Sequence, residues 1–146
     1  MCTGPAWAQK NEMPQQGSTT YEAYYLNHVL SNVDMGEQGS GSVIEGFGIT
    51  RNTSGQKPFD KLSVHCVFYE GSRAGQYSET GACTETDAEG DMIYVTVATD
   101  AQTITGGTGK YKGITGTGTF SGHPLRPPAA VTFAVEVEHK VSWKIK

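Results

Sequence analysis

Apolar side chains occupy most alternate positions between Tyr21 and Val33 and again between Ala130 and Lys144, the period of a strand with one face buried. Six further segments alternate in the same way or are rich in β-branched and aromatic residues: Ser42–Arg51, Lys61–Glu70, Tyr77–Thr86, Met92–Thr99, Gln102–Ile104 and Ile114–Ser121. Turn-forming residues separate them, among them Met35–Gly41, Asn52–Gly55, Asp87–Asp91 and Gly106-Gly107. Strands spaced about ten residues apart with turn signals between them predict an antiparallel sandwich or barrel. No helical period and no alternation of strand with helix appears, which argues against a parallel sheet. Two of the strands are long, and a long strand left as an edge invites edge-to-edge pairing, which closure removes. The pattern therefore predicts an all-β protein, an eight-stranded antiparallel up-and-down barrel over residues 20–146.

Composition narrows this picture. Glycine supplies 19 of 146 residues, and only 36% are hydrophobic and 18% charged. So much glycine disfavours long helices. The net charge of −4, with no Lys/Arg cluster, argues against nucleic acid as a partner. No apolar run is long enough to span a bilayer as a helix, so no membrane insertion is expected. The glycines do not build a phosphate loop. Aligned on Gly109-Lys110, the P-loop pattern meets Ile104 where its first glycine belongs and Tyr111 where its hydroxyl residue belongs. A dinucleotide fingerprint started at Gly107 meets Lys112 at its third glycine. Asp87–Asp91 is too short for a calcium-binding EF-hand loop and reads as a tight acidic hairpin turn, with Glu89-Gly90 or a neighbouring pair at its tip. His28, His65, His123 and His139 lack metal-ligand spacing. No cofactor and no metal is expected.

Ala6-Trp7-Ala8 fits the small-x-small pattern before a signal-peptidase cut, without the basic and apolar regions that normally precede it. On this basis residues 1–19 read as a signal-peptide remnant and a disordered tail, and the protein as exported, periplasmic or secreted. A disordered cytosolic tail is the alternative. Asn52-Thr53-Ser54 is a glycosylation sequon that matters only in a eukaryotic secretory host. A hairpin centred on Ala74-Gly75 pairs residues whose numbers sum to 149, which sets Cys66 opposite Cys83. In an oxidising compartment these can bridge, and in a reducing one they are two buried thiols. Cys2 is left odd.

The run Gly106-Gly107-Thr108-Gly109-Lys110-Tyr111-Lys112-Gly113 resembles the glycine-rich turn of the allene oxide cyclase and dirigent barrels. The order Cys66, Gly81-Ala82-Cys83, Asp87–Asp91 and Gly106–Gly113 is similar to that of small exported bacterial members of the same superfamily. The resemblance covers about residues 20–145 and implies the same barrel, with trimers and dimers among the expected assemblies. In the plant cyclases the barrel binds a fatty-acid epoxide and closes a ring without a cofactor. Their cavity Asn, Cys and Tyr fall on Asn27, Cys66 and Tyr94, whereas Tyr25 stands where they carry Glu. That exchange removes a carboxylate able to stabilise a developing cation.

Strand parity gives a lumen independently of the resemblance. With Cys66 inward, Leu62, Val64 and Phe68 follow, and hairpin pairing adds Gly81, Cys83 and Glu85. Carried through the acidic turn, the same face is expected to hold Met92, Tyr94 and Thr96. Asn27 shares its face with Tyr21, Ala23, Tyr25 and Val29. An apolar, aromatic lumen with a few polar groups suits a small hydrophobic molecule, and a filled core fits the same residues. Expected catalytic groups are Tyr25 as acid or donor, Glu85 as base, and Asn27 and Tyr94 holding a polar atom or water. Ala23, Val29, Leu62, Val64, Cys66, Phe68, Met92 and Thr96 are the expected substrate contacts. The activity this implies is a cofactor-free cyclase, isomerase or lyase step on an epoxide or unsaturated substrate. Non-catalytic carriage of a hydrophobic ligand and a purely structural exported domain are the alternatives.

Overall fold

A computed structural model describes residues 13–146. Eight strands run in chain order around a closed antiparallel barrel: β1 Gln16–Asp34, β2 Gly39–Asn52, β3 Ser63–Arg73, β4 Gln76–Thr86, β5 Met92–Ala98, β6 Ala101–Gly107, β7 Ile114–Leu125 and β8 Thr132–Ile145. The expected fold class is the observed one. β8 returns to pair with β1 from Gln16↔Lys144 to His28↔Thr132, which leaves no open edge. Single 3-10 turns at Gly36–Gln38 and Gly109–Tyr111 interrupt the connections. No described helix is long and apolar enough to cross a membrane.

β1 opens earlier than its apolar pattern predicts. Gln16–Thr20 carry no apolar side chain, yet they pair with β8. Ahead of them Met13 is buried and Trp143 Nε1 donates to the Pro14 carbonyl at 2.9 Å. The segment expected to be a disordered tail through residue 19 is thus packed against the barrel at Met13 and Pro14 and is barrel wall from Gln16 on. The expected cleavage motif Ala6-Trp7-Ala8 and the odd Cys2 lie outside the described residues.

The β3–β4 hairpin turns on Ala74 and Gly75, both at positive φ (50° and 76°), as a two-residue turn of this hand requires. Its register is the predicted one, and Cys66 and Cys83 face each other with Cα atoms 4.1 Å apart, joined by a disulfide. The acidic turn is held by its own first residue. Asp87 accepts hydrogen bonds from the amides of Glu89 and Asp91, and Gly90 sits at φ 89°. Lys110 reaches back to Asp87 at 2.8 Å and Glu89 at 3.0 Å, and the Tyr111 hydroxyl donates to Asp87. The glycine-rich turn therefore works as a clamp on the acidic one. At Gly109, φ is 52° and a Cβ would fall on the Asp91 carboxylate. The sequon is likewise structural. Asn52 Nδ2 donates to Thr19 and to the Pro58 carbonyl, while Oδ1 accepts from the amides of Ser54 and Gln56.

The interior divides along the barrel axis. Tyr21, Phe59, Leu62, Ile93, Ile114 and Trp143 belong to a packed cluster that fills one end. The other half holds a cavity. Outside, Tyr24, Leu26, Val43, Phe47, Ile49, Val67 and Tyr69 on β1–β3 are all exposed.

The disulfide closes a segment of sequence separation 17. Replacing both cysteines by serine is expected to lower the unfolding free energy by about 3 kcal/mol through the loop entropy returned to the unfolded chain. Urea denaturation measures the loss, and an unchanged far-ultraviolet spectrum shows that the barrel itself survives.

Candidate functional site

β4 runs from the open end of the barrel to its floor. Its inward row is Tyr77, Glu79, Gly81, Cys83 and Glu85, and exposure falls along it from 52% at Tyr77 to 2% at Glu85. The cavity that this row lines has a volume of about 620 Å³, within the range of small-molecule pockets. Missing side chains help to make the space. Gly46 lies opposite both Asn27 and Cys66, and Gly48 opposite Tyr25. A Cβ at either position would strike the Asn27 amide or the Tyr25 ring.

Of the residues predicted to act or to touch a ligand, Tyr25, Asn27, Cys66, Phe68 and Glu85 line the cavity. Ala23, Leu62 and Val64 are buried but packed away from it, and Val29 is half-buried near the β1 bulge between Val29 and Ser31, outside the wall. Met92, Tyr94 and Thr96 do not face the lumen. Tyr94 is 39% exposed on the outer surface. The five-residue acidic turn pairs Thr86 with Met92 and Glu85 with Ile93, so odd-numbered residues of β4 share their face with odd-numbered residues of β5. Val95 and Val97 take the inner positions instead. A slip of one residue moves a whole strand face from inside to outside.

The floor carries a polar chain in which every donor points the same way. Gln102 Nε2 donates to the Tyr21 hydroxyl at 3.3 Å, and that hydroxyl donates to Glu85 Oε1 at 3.0 Å. Gln102 Oε1 can only accept, so its 2.7 Å contact with His139 Nδ1 fixes the proton there and leaves Nε2 as an acceptor. Tyr21 stacks between His139, 4.6 Å away, and Phe59, 5.0 Å away, which fixes both rings. Burial pushes the Glu85 carboxyl up to about 7, partly offset by the Tyr21 hydrogen bond. Burial pushes the His139 imidazole down to about 4, so it is neutral near pH 7. Burial, then the Glu85 and Glu79 carboxylates, hold the Tyr25 phenol well above its ordinary value, as a permanent donor.

Three buried side-chain atoms among the described residues lack any hydrogen-bond partner: Asn27 Oδ1, Glu85 Oε2 and His139 Nε2. All three belong to residues of this one cavity wall. Buried polar groups are normally satisfied, and leaving one unpaired costs about 1–3 kcal/mol. Three unsatisfied polar atoms in the wall of one cavity are a departure from that norm.

Sequence reasoning missed His139, Gln102 and the outer acids Glu70 and Glu79. Barrel closure would have supplied the first, because pairing β1 with β8 sets Tyr21 opposite His139. The hairpin sum of 149 already contained the last two, since 70 and 79 satisfy it as 66 and 83 do, and Glu70 does face Glu79.

No protein-family model matches the sequence. No curated protein matches it either. Among solved structures, the barrel is similar to that of a pterocarpan synthase dirigent protein, with a TM-score of 0.50 and 12% identity, over 90% of this chain and 87% of that one. The fold is dirigent-like. At this identity the dirigent-like barrel is a statement about architecture, and chemistry has to come from the cavity itself.

The two shifted groups oppose each other in pH. Glu85 binds its proton more tightly folded than unfolded, so its contribution to stability declines as pH rises from about 4.5 to 7. His139 is harder to protonate folded, so its contribution declines as pH falls from about 6.5 to 4. Glu85→Gln is therefore expected to raise stability relative to wild type at pH 8, by up to about 3 kcal/mol, and to lose that advantage near pH 4.5. His139→Gln should gain relative to wild type as pH falls below 6.5. Denaturant melts of the three proteins across pH 4–8 measure both slopes.

Proposed function

We propose that this barrel binds a small, largely apolar molecule in its lumen and moves protons on it without a cofactor, as an isomerase, cyclase or lyase acting on an epoxide or an unsaturated substrate. The observation that carries this reading is that Asn27 Oδ1, Glu85 Oε2 and His139 Nε2, all buried and unpartnered, belong to residues of one cavity wall. The barrel is similar to that of a protein named as a pterocarpan synthase dirigent protein, and a role for this lumen in small-molecule chemistry is in keeping with that name.

The geometry suits redox-neutral acid–base chemistry. A carboxyl poised near 7 is a competent acid and, once ionised, a competent base at neutral pH. In an epoxide opening, protonated Glu85 gives its proton to the ring oxygen as the carbon–oxygen bond breaks. His139 Nε2 takes a proton from the neighbouring carbon as the new double bond forms. One proton enters the substrate and one leaves, so the product is an isomer, and exchange with water through the mouth resets both groups. Tyr25, held protonated, donates to the developing alkoxide. Asn27 fixes the orientation of the bound molecule. Cys66, bridged to Cys83, contributes wall and no thiol.

Small apolar epoxides and unsaturated compounds, screened as substrates, test this reading. Wild type is expected to turn over at least one, and Glu85→Gln to lose about 10²–10⁴-fold in kcat while binding within a few-fold. Ligand binding with no turnover by wild type would assign the protein to the carrier class instead, and native mass spectrometry of protein from its own host identifies a carried molecule.

We further propose export and self-association. The disulfide suits an oxidising compartment. The exposed apolar face of β1–β3, with Phe47 at 47% and Ile49 at 62% exposure, is larger than a lone surface residue and suits a homodimer or homotrimer contact. Light scattering is expected to give a multiple of the chain mass for wild type and a single-chain mass for Phe47→Glu/Ile49→Glu. A wild type that runs as one chain would remove the proposal.

A further inference from the structure

The outer half of the cavity carries a charge imbalance that the floor chemistry does not use. Four carboxylates line the wall, Glu70, Glu79, Glu85 and Asp100, and no lysine or arginine does. Arg126 lies between the lining residues Leu125 and Pro127, but it is exposed and outside the wall. Glu70 and Glu79 are direct cross-strand partners on the inner face, an arrangement that costs stability through like-charge repulsion. The β5–β6 turn brings a third acid to the same place. The Thr99 amide donates to the Glu79 carbonyl at 3.0 Å, and the Glu79 amide donates to Thr99 Oγ1 at 3.1 Å, which sets Asp100, at φ 61°, next to them.

Among the described residues nothing neutralises this group. Glu79 accepts from the Tyr77 hydroxyl at 3.0 Å, and Glu70 meets neither a donor nor a cation. Burial and then the Glu79 charge push the Glu70 carboxyl up to about 7, and burial and Asp100 raise Glu79 against the opposing Tyr77 hydrogen bond. Elsewhere the chain does pair its acids: Lys110 takes both Asp87 and Glu89 in the turn at the opposite end of β4. The mouth is left with acid facing acid above an apolar shaft. That shaft ends at the buried Asn27, Glu85 and His139, whose unpartnered Oδ1, Oε2 and Nε2 atoms are a separate observation in keeping with a ligand in this space.

We infer that the cavity selects a molecule whose apolar body ends in a cationic, ammonium-type group, held at the mouth by Glu70, Glu79 and Asp100. The inference rests on the reading of the lumen as a small-molecule site and names the class of molecule it takes. An ammonium placed between Glu70 and Glu79 replaces their repulsion by two attractions, in a setting partly shielded from water where Coulomb terms are stronger than in bulk. The Tyr77 ring adds a π-face at the same level. A carboxylate-bearing ligand, such as a fatty acid, would meet the same three acids as repulsion. The fatty-acid epoxide of the plant cyclases is therefore a poor guide to the substrate of this chain.

Three probes of one shape separate charge from the lumen: 4-phenylbutylammonium, 4-phenylbutan-1-ol and 4-phenylbutyrate, titrated by calorimetry at pH 8 into wild type and into Glu70→Gln/Glu79→Gln. Wild type is expected to bind the ammonium at least about tenfold more tightly than the carboxylate, with the alcohol between. The double variant should close that gap to within about threefold and leave the alcohol unchanged. Equal binding of all three probes, or tightest binding of the carboxylate, overturns charge selection and leaves the lumen reading standing. A gap that persists in the double variant overturns the assignment to Glu70 and Glu79. Failure of all three to bind overturns the lumen reading itself, and this inference with it.

Discussion

The pairing of β8 with β1 is the constraint on which the rest of this interior depends. Thirteen successive partners, from Gln16↔Lys144 to His28↔Thr132, lock the last strand to the first. Once the ring is closed, no strand can slip by one residue without turning its whole face outward against neighbours on both sides. Closure also brings together groups far apart in the chain. His139 lies opposite Tyr21, Tyr21 bonds to Glu85, and Gln102 joins Tyr21 to His139. Four strands thus contribute to one polar chain that no local segment could assemble.

Residue size then decides what the closed ring encloses. At one end Tyr21, Phe59, Ile93 and Trp143 fill the space with large side chains. Toward the other end the inward positions of β2 and β4 fall to Gly46, Gly48 and Gly81, and the wall recedes. Those glycines serve neighbouring side chains more than their own backbone, since a Cβ at Gly81 would meet Phe68 and the Val67 carbonyl. The other glycine-rich region, around Gly109, serves a different end. It lets Lys110 and Tyr111 fold against Asp87 and so fixes the connection between β4 and β5. High glycine content in this chain has two separate causes, an opened lumen and a clamped turn.

How far the chain could be read from its residues follows from how local each determinant is. The barrel, the β3–β4 register and the facing cysteines were legible because period-two alternation and a two-residue turn are short-range signals. The face of β5 was misassigned because its register passes through Asp87–Asp91, whose geometry is set by the Asp87 carboxylate bonding to the amides of Glu89 and Asp91. Counting along the strand does not reveal such a bond. Gln16–Thr20 escaped notice because these residues are polar and become strand only through β8. Tyr25, Asn27 and Glu85 were identified by parity, while His139 was passed over because its partners lie in β1 and β6. Glu70 and Glu79 are within reach of the same hairpin sum that places the cysteines, since 70 and 79 also sum to 149.

Glu85 and His139 pull against one another in a way that explains how an apolar barrel can hold two titratable groups at its floor. Each is shifted toward its neutral form by burial, the acid upward and the imidazole downward, so between about pH 4.5 and 6.5 neither carries its full charge in the folded state. The stability that one loses with rising pH the other gains, and the folded barrel is buffered across that window. Tyr21 and Gln102 link the pair through a hydrogen-bond chain that runs from His139 to Glu85. Glu85 Oε2 and His139 Nε2 are left buried at the floor, one acidic oxygen and one basic nitrogen, each lacking a protein partner. In the proposed function, a molecule bound there is the group that completes both.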